Sequence, residues 1–179
     1  MHKLMIDIET LSTRPNAVVL SIGAVVFNED TILDRFYATV NNDYQLTAGR
    51  YVCIETVNWW NKQPPEVKSS AFAKNPESPI FTLCTFKTFI DRNSVSEIWA
   101  NGPDFDCVIL NSLFRDFEFC ENLLDFRKYR CFRTLKKLIP LDATEIAPNI
   151  SAHNALSDAA WQANYVIKAL KKLNGNISQ

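Results

Sequence analysis

No sign of charge dominates this sequence: 19 basic and 20 acidic residues leave a formal net charge of −1. A global cationic field of the kind that gathers nucleic acid is absent, so contact with a polyanion must come from a local patch or through bound cations. Histidine is scarce, with only His2 and His153, and the five cysteines (Cys53, Cys84, Cys107, Cys120, Cys131) form no Cys-x-x-Cys pair. That argues against a zinc site. The cysteines read instead as reduced, mostly buried thiols. No apolar run is long enough to span a bilayer and no signal-peptide pattern is visible, so the expected setting is cytoplasmic, with no membrane partner. Repeats, low-complexity tracts and linkers are missing too. What remains, 179 residues at 47% hydrophobic and 22% charged, reads as one domain, 1–179, with a core of its own.

The first informative stretch is Leu4-Met5-Ile6-Asp7-Ile8-Glu9-Thr10. As a strand it repeats with period two, so Asp7 and Glu9 share a face. Like charges that close repel, and a divalent cation held by hard carboxylate oxygens relieves the cost. A strand end whose acids simply face water has the same pattern, and the pair alone does not choose between the two. The loop Thr10 to Asn16 follows, then Ala17 to Phe27, too continuously apolar for an exposed strand, with Gly23 marking a bulge or a close backbone approach. Thr31 to Val40 alternates as a half-buried hairpin partner would.

Helical spacing then takes over. Ile54, Val57, Trp59 and Trp60 mark one helix that halts at Pro64-Pro65. Glu66 to Phe72 forms a second, and Ile80, Leu83, Phe86, Phe89 and Ile90 line a third. Trp59-Trp60 offers a stacking surface for bases or an ordinary core contact, and adjacent residues cannot both face the same way. Glu97 to Asn101 is a short strand, after which Gly102-Pro103 turns the chain and Asp104 is placed to cap a helix carrying Asp106 in its first turn. Arg127 to Lys137 is the local basic cluster, a last strand running into a helix, whose cations meet either phosphates or water. Pro140 to Ser151 shows no periodicity. His153 and Asp158, five apart, lie roughly 140° apart on a continuous helix, so they share a site only if His153 precedes the helix, with Asn154 or Ser157 as its cap. Beyond Asn174 the polar tail is expected to fray.

Taken in order, Asp7-x-Glu9-Thr10, then Asn101 to Asp106, then His153-x-x-x-x-Asp158 resemble the three motifs of the DnaQ-like, or DEDDh, 3′-5′ exonucleases. Ser21 to Val25, Trp59-Trp60, Arg133-Thr134-Leu135 and Ala152 to Leu156 extend the likeness to a phage and bacterial subgroup, exodeoxyribonuclease VIII-like and RNase AS-like. One departure is Ser12, where many relatives carry glycine. The resemblance implies an α/β, RNase H-like fold, with a mixed five-stranded sheet flanked by helices on both sides. It also implies two Mg²⁺ or Mn²⁺ ions. Asp7 would bridge them, with Glu9 and Asp158 on the first and Asp106 on the second, and His153 would be the general base. The backbone at Thr10 and Leu11 would meet the terminal nucleotide, Leu11 against its base, with Asn101, Phe105 and Trp60 as further substrate contacts. The expected partner is the 3′ end of single-stranded nucleic acid, DNA favoured over RNA, and the relatives suggest a homodimer. A catalytically silent binding module of the same fold is the competing expectation.

Overall fold

The apolar run near the start of the chain becomes the middle strand of a sheet. The computed structural model describes residues 1–72, 75–117, 123–149 and 153–177. First come β1 (His2–Thr10), β2 (Val19–Phe27) and β3 (Ile32–Thr39), then α1 (Asn42–Thr47), α2 (Ile54–Asn61), α3 (Pro65–Ala71) and α4 (Pro79–Arg92). β4 (Val95–Ala100), α5 (Asp106–Asp116), a short 3-10 turn (Phe126–Lys128), β5 (Tyr129–Cys131), α6 (Phe132–Leu138) and α7 (Ala155–Ile177) complete the order. Among the described residues the strands form a five-stranded sheet ordered β3-β2-β1-β4-β5. β2 runs antiparallel to both neighbours, while β1, β4 and β5 are parallel.

Period two divides β1 between two cores. Leu4, Ile6 and Ile8 pack with α4 and α5 on one face, and Met5 packs with α6 and α7 on the other. Asp7 and Glu9 continue the Met5 row, so both acids emerge on the α7 face. With helices on both faces, β2 is buried along its whole length, as its continuous apolar run predicts. Each large apolar side chain so buried contributes about 1.5–3 kcal/mol.

Gly23 is the residue that lets α7 sit where it does. It is the β2 partner of Asp7 in the ladder. A Cβ added there would lie 2.1 Å from the carbonyl carbon of Ala155 and 2.2 Å from the nitrogen of Leu156. The first turn of α7 therefore rests directly on the β2 backbone. The close approach expected at Gly23 is present and no bulge is; the register shifts fall at Glu9/Thr10 and Val26/Phe27.

The segment joining β1 to β2 is fastened by side chains from outside the sheet. Gln45 of α1, fully buried, takes the Val19 N–H and gives its own N–H to the Val19 carbonyl, both at 2.8 Å. Arg50, also buried, donates from Nε to the Ala17 carbonyl at 2.9 Å and pairs with Asp116 at the end of α5.

Several expectations need correction. Asp104 does not cap α5; Phe105 stands at the N-cap position, and its side chain makes no capping hydrogen bond. The tail does not fray at Asn174, because α7 continues to Ile177. Of the described cysteines only Cys107 is buried and Cys84 is exposed; Cys120 falls outside the described residues. No described helix, α7 included, is long and apolar enough to cross a membrane.

The Gly23 contact is testable against a second glycine of opposite sign. Gly23→Ala should lower stability by about 1–3 kcal/mol or more, the range for overpacking. Gly175→Ala, in α7 with open space around it, should raise it by up to about 1 kcal/mol through helix propensity. Urea midpoints of the two variants measure both.

Candidate active site

Strand β1 and helix α7 bring their acids together at one edge of the sheet. One carboxylate oxygen from each of Asp7, Glu9 and Asp158 lies within 4.8 Å of the others. They line a cleft of about 520 Å³ together with His153, Asn101, Asn149 and Gln162. Asp106 starts α5 just past the end of β4, beside Ile8, whose N–H donates to its Oδ1 at 3.2 Å. It is buried and does not belong to the group whose ligand oxygens lie within 4.8 Å of one another. Asp106 and Asp158 both sit in first helical turns, where the unpaired N–H groups favour a carboxylate.

The five-residue spacing of His153 and Asp158 is explained by the loop. Asn154 accepts the Ser157 N–H at 3.0 Å, fixing the start of α7. His153 stands before it in the left-handed region, at φ +68°. That turn points its backbone N–H at Asp158 Oδ2, 2.8 Å away. Asn149 holds the other oxygen of Asp158. His153 is exposed at the lip of the cleft, with the Trp59 ring edge-on to its imidazole at 4.9 Å.

Crowding shows in the proton affinities. Burial, then Asp106, Asp158 and Glu9, hold the Asp7 carboxyl well above the usual range, with the Gln162 hydrogen bond pulling the other way. Burial, then Asp158 and Asp106, push Glu9 up to about 8. Asp106 rises to about 7 because burial outweighs hydrogen bonds from its own N–H and that of Ile8, and the pull of Arg133. Burial raises Asp158 as well, against the hydrogen bonds from Asn149 and His153. Clustered hard-oxygen donors that resist ionising alone fit a divalent cation, whose charge removes the repulsion.

The remaining expected residues divide. Asn101 lines the cleft, and its carbonyl takes the Arg133 guanidinium at 2.9 Å. Of the basic cluster, Arg133 and Lys136 line the cleft, whereas Arg127 and Arg130 pair with Asp125 and Glu97. Thr10 and Leu11 are each 8% exposed. The Leu11 backbone is already spent, its N–H on the Val18 carbonyl and its carbonyl on the Cys53 N–H. Only the Leu11 side chain is offered, into an apolar pocket of about 420 Å³ shared with Trp60, Lys68 and Phe72. Trp60 itself is 2% exposed and gives its indole N–H to the Thr10 carbonyl at 3.0 Å, so the open ring expected there belongs to Trp59, 40% exposed. Phe105 packs against the central core instead of the cleft.

Two residues at the site escaped sequence reasoning. Gln162 donates to Asp7 Oδ1 at 2.8 Å; a polar residue one turn after Asp158 on an otherwise apolar stripe was the available signal. Asn149 lies in a stretch without periodicity and carried none.

No curated protein matches the chain. The nuclease domain of 3′hExo, described as a DEDDh family member bound to rAMP, superposes with a TM-score of 0.64 at 11% identity, covering 96% of this chain and 92% of that one. At that identity the match speaks for the fold, the RNase H-like α/β sheet. The model of the Rv2179c-like 3′-5′ exoribonuclease domain matches residues 2–170. With nearly its whole length covered, the chain belongs to that family and is a DnaQ-like, DEDDh-type 3′-5′ exonuclease.

Proposed function

We propose that the protein removes nucleotides from the 3′ end of single-stranded nucleic acid, with Asp7, Glu9, Asp106 and Asp158 as metal ligands and His153 as general base. The observation that carries this reading is the carboxylate trio within 4.8 Å, with His153 tied to one of its members. Asp7, Glu9 and Asp158 would hold one Mg²⁺ or Mn²⁺ ion, and Asp7 and Asp106 would hold a second. Bound there, such ions polarise the phosphodiester and offset the charge on the leaving oxygen. His153 accepts a proton from the attacking water as the new P–O bond forms. The bond from phosphorus to the 3′ oxygen of the preceding nucleotide breaks, freeing a nucleoside 5′-monophosphate and a new 3′-hydroxyl. Arg133 and Lys136 take the phosphate flank that a nearly neutral protein otherwise lacks. The Leu11 side chain meets the terminal base, and Trp59 presents ring surface beside His153.

RNA is the favoured substrate in this reading, in place of the DNA preference drawn from the phage-like motifs, because the family is described by exoribonuclease activity. Time courses on 3′- and 5′-labelled RNA and DNA oligonucleotides with Mn²⁺ separate the cases. Loss of the 3′ label first, faster on RNA and abolished by EDTA or Asp7→Asn, is the expected result. Faster digestion of DNA would restore the DNA preference, and full activity of Asp7→Asn would sink the mechanism. Tight binding without turnover on every substrate would instead mark a silent module.

His153→Ala should cut kcat by about 10²–10⁴-fold at saturating Mn²⁺, the usual contribution of a positioned base. Circular dichroism of the variant checks that the fold is kept.

The raised carboxyl groups predict how the metal-free protein responds to pH. Glu9, near 8, and Asp106, near 7, hold protons in the folded chain that the unfolded chain has already lost. Stability from these groups is therefore greatest at acid pH and falls as pH rises from about 4.5 through 7 to 8. In EDTA the melting temperature should fall across that window, and Mn²⁺ should restore more of it at pH 8 than at pH 6. A metal effect that is the same at both would contradict the prediction.

A further inference from the structure

Gln162 is the polar side chain that the mechanism leaves without a task. It sits on α7 one turn after Asp158, among the buried apolar residues Ala159, Ala163 and Val166, and is itself 5% exposed. Its Nε2 donates to Asp7 Oδ1 at 2.8 Å, and its Oε1 is buried with no hydrogen-bond partner among the described residues. With Asp7 ionised, as a metal ligand must be, the reverse amide orientation would set an amide oxygen against a carboxylate oxygen. A leucine or methionine would fill the same space and leave no unmatched acceptor. The amide therefore makes sense for the one bond that it does form. That bond runs from α7 back to β1, joining the helix that carries Asp158 to the strand that carries Asp7.

We infer that Gln162 is a positioning residue for the cation, holding Asp7 in the orientation that lets its carboxylate and that of Asp158 face one ion. The inference rests on the metal reading of the trio given above. Anchoring groups behind a ligand carboxylate act in this way: removing them leaves the ligand in place but free to turn, and affinity falls. Asp7 is a demanding ligand to orient, since three other carboxylates push against it. With Oδ1 held, rotation about its side chain is stopped before an ion arrives.

Mn²⁺ titration of the full chain, followed by electron paramagnetic resonance, tests this with Gln162→Met, which keeps length and volume but has no donor. Mn²⁺ affinity should weaken by about 10–100-fold, while the metal-free melting temperature stays near the parent's. At saturating Mn²⁺, kcat and the oligonucleotide KM should return towards parent values, because the loss lies in loading the ion and not in the chemistry. An affinity within about twofold of the parent's overturns the inference. If the Met variant does not fold, Gln162→Asn, an amide one methylene too short to reach Asp7, decides. Weakened Mn²⁺ binding supports the inference and parent-like binding overturns it. Asp7→Asn separates the two layers of the argument. Parent-like Mn²⁺ binding there removes the metal reading itself. Lost binding there beside unchanged Gln162→Met removes only the role of Gln162.

Discussion

Mutual repulsion among carboxylates in a half-buried cleft is the constraint that the rest of the structure answers. Asp7, Glu9 and Asp158 would each be easier to bury alone than together. Left on flexible segments they would move apart. Here one pair stands on the middle strand of the sheet, which has neighbours on both sides, and the third acid stands in the first turn of a long helix. Rigid mounts at both ends convert a repulsion that would otherwise relax into a standing affinity for positive charge. Helix N-termini under Asp106 and Asp158 supply part of the compensation before any ion is present.

The distance between strand and helix is set by an absence. At Gly23 there is no side chain, so backbone meets backbone, and the turn that carries Asp158 descends to the level of the acids beside it on β1. A methyl group there would raise the helix start and widen the trio. Around this contact the supporting bonds point the same way. Asn154 fixes where α7 begins, His153 turns its N–H inward through a left-handed backbone, and Asn149 holds the far oxygen of Asp158. On the other flank Trp60 and Gln45 secure the chain as it leaves and re-enters the sheet.

Features that repeat were legible in the sequence; features made by single hydrogen bonds were not. The rows of β1 and β2 and the apolar spacing of α4, α5 and α7 are periodic because each buries a face against a layer, and burial leaves a pattern. The three acidic motifs were readable for a different reason: their chemistry demands fixed residue types in a fixed order. By contrast α1 is six residues long and mostly polar, and its buried residue is a glutamine whose partner lies in β2. Trp59 and Trp60 could not be told apart, since which ring turns inward depends on a carbonyl at Thr10. Asp104 has the composition of a cap without the geometry. Gln162 acts through a partner at the other end of the chain and shows only as a polar break in an apolar stripe, while Asn149 lies in a stretch without periodicity.

The placement of the acids has a consequence for when the site can exist. Asp7 and Glu9 lie in the first strand of the chain and Asp158 in its last helix. During synthesis the strand leaves the ribosome long before the helix is made, and until then two acids stand without the third, without the His153 turn and without the contact on Gly23. A nascent chain thus carries only a fragment of the cleft while it is still held close to messenger RNA. Assembly of the acidic cleft therefore waits for α7, a timing written into the order of the elements.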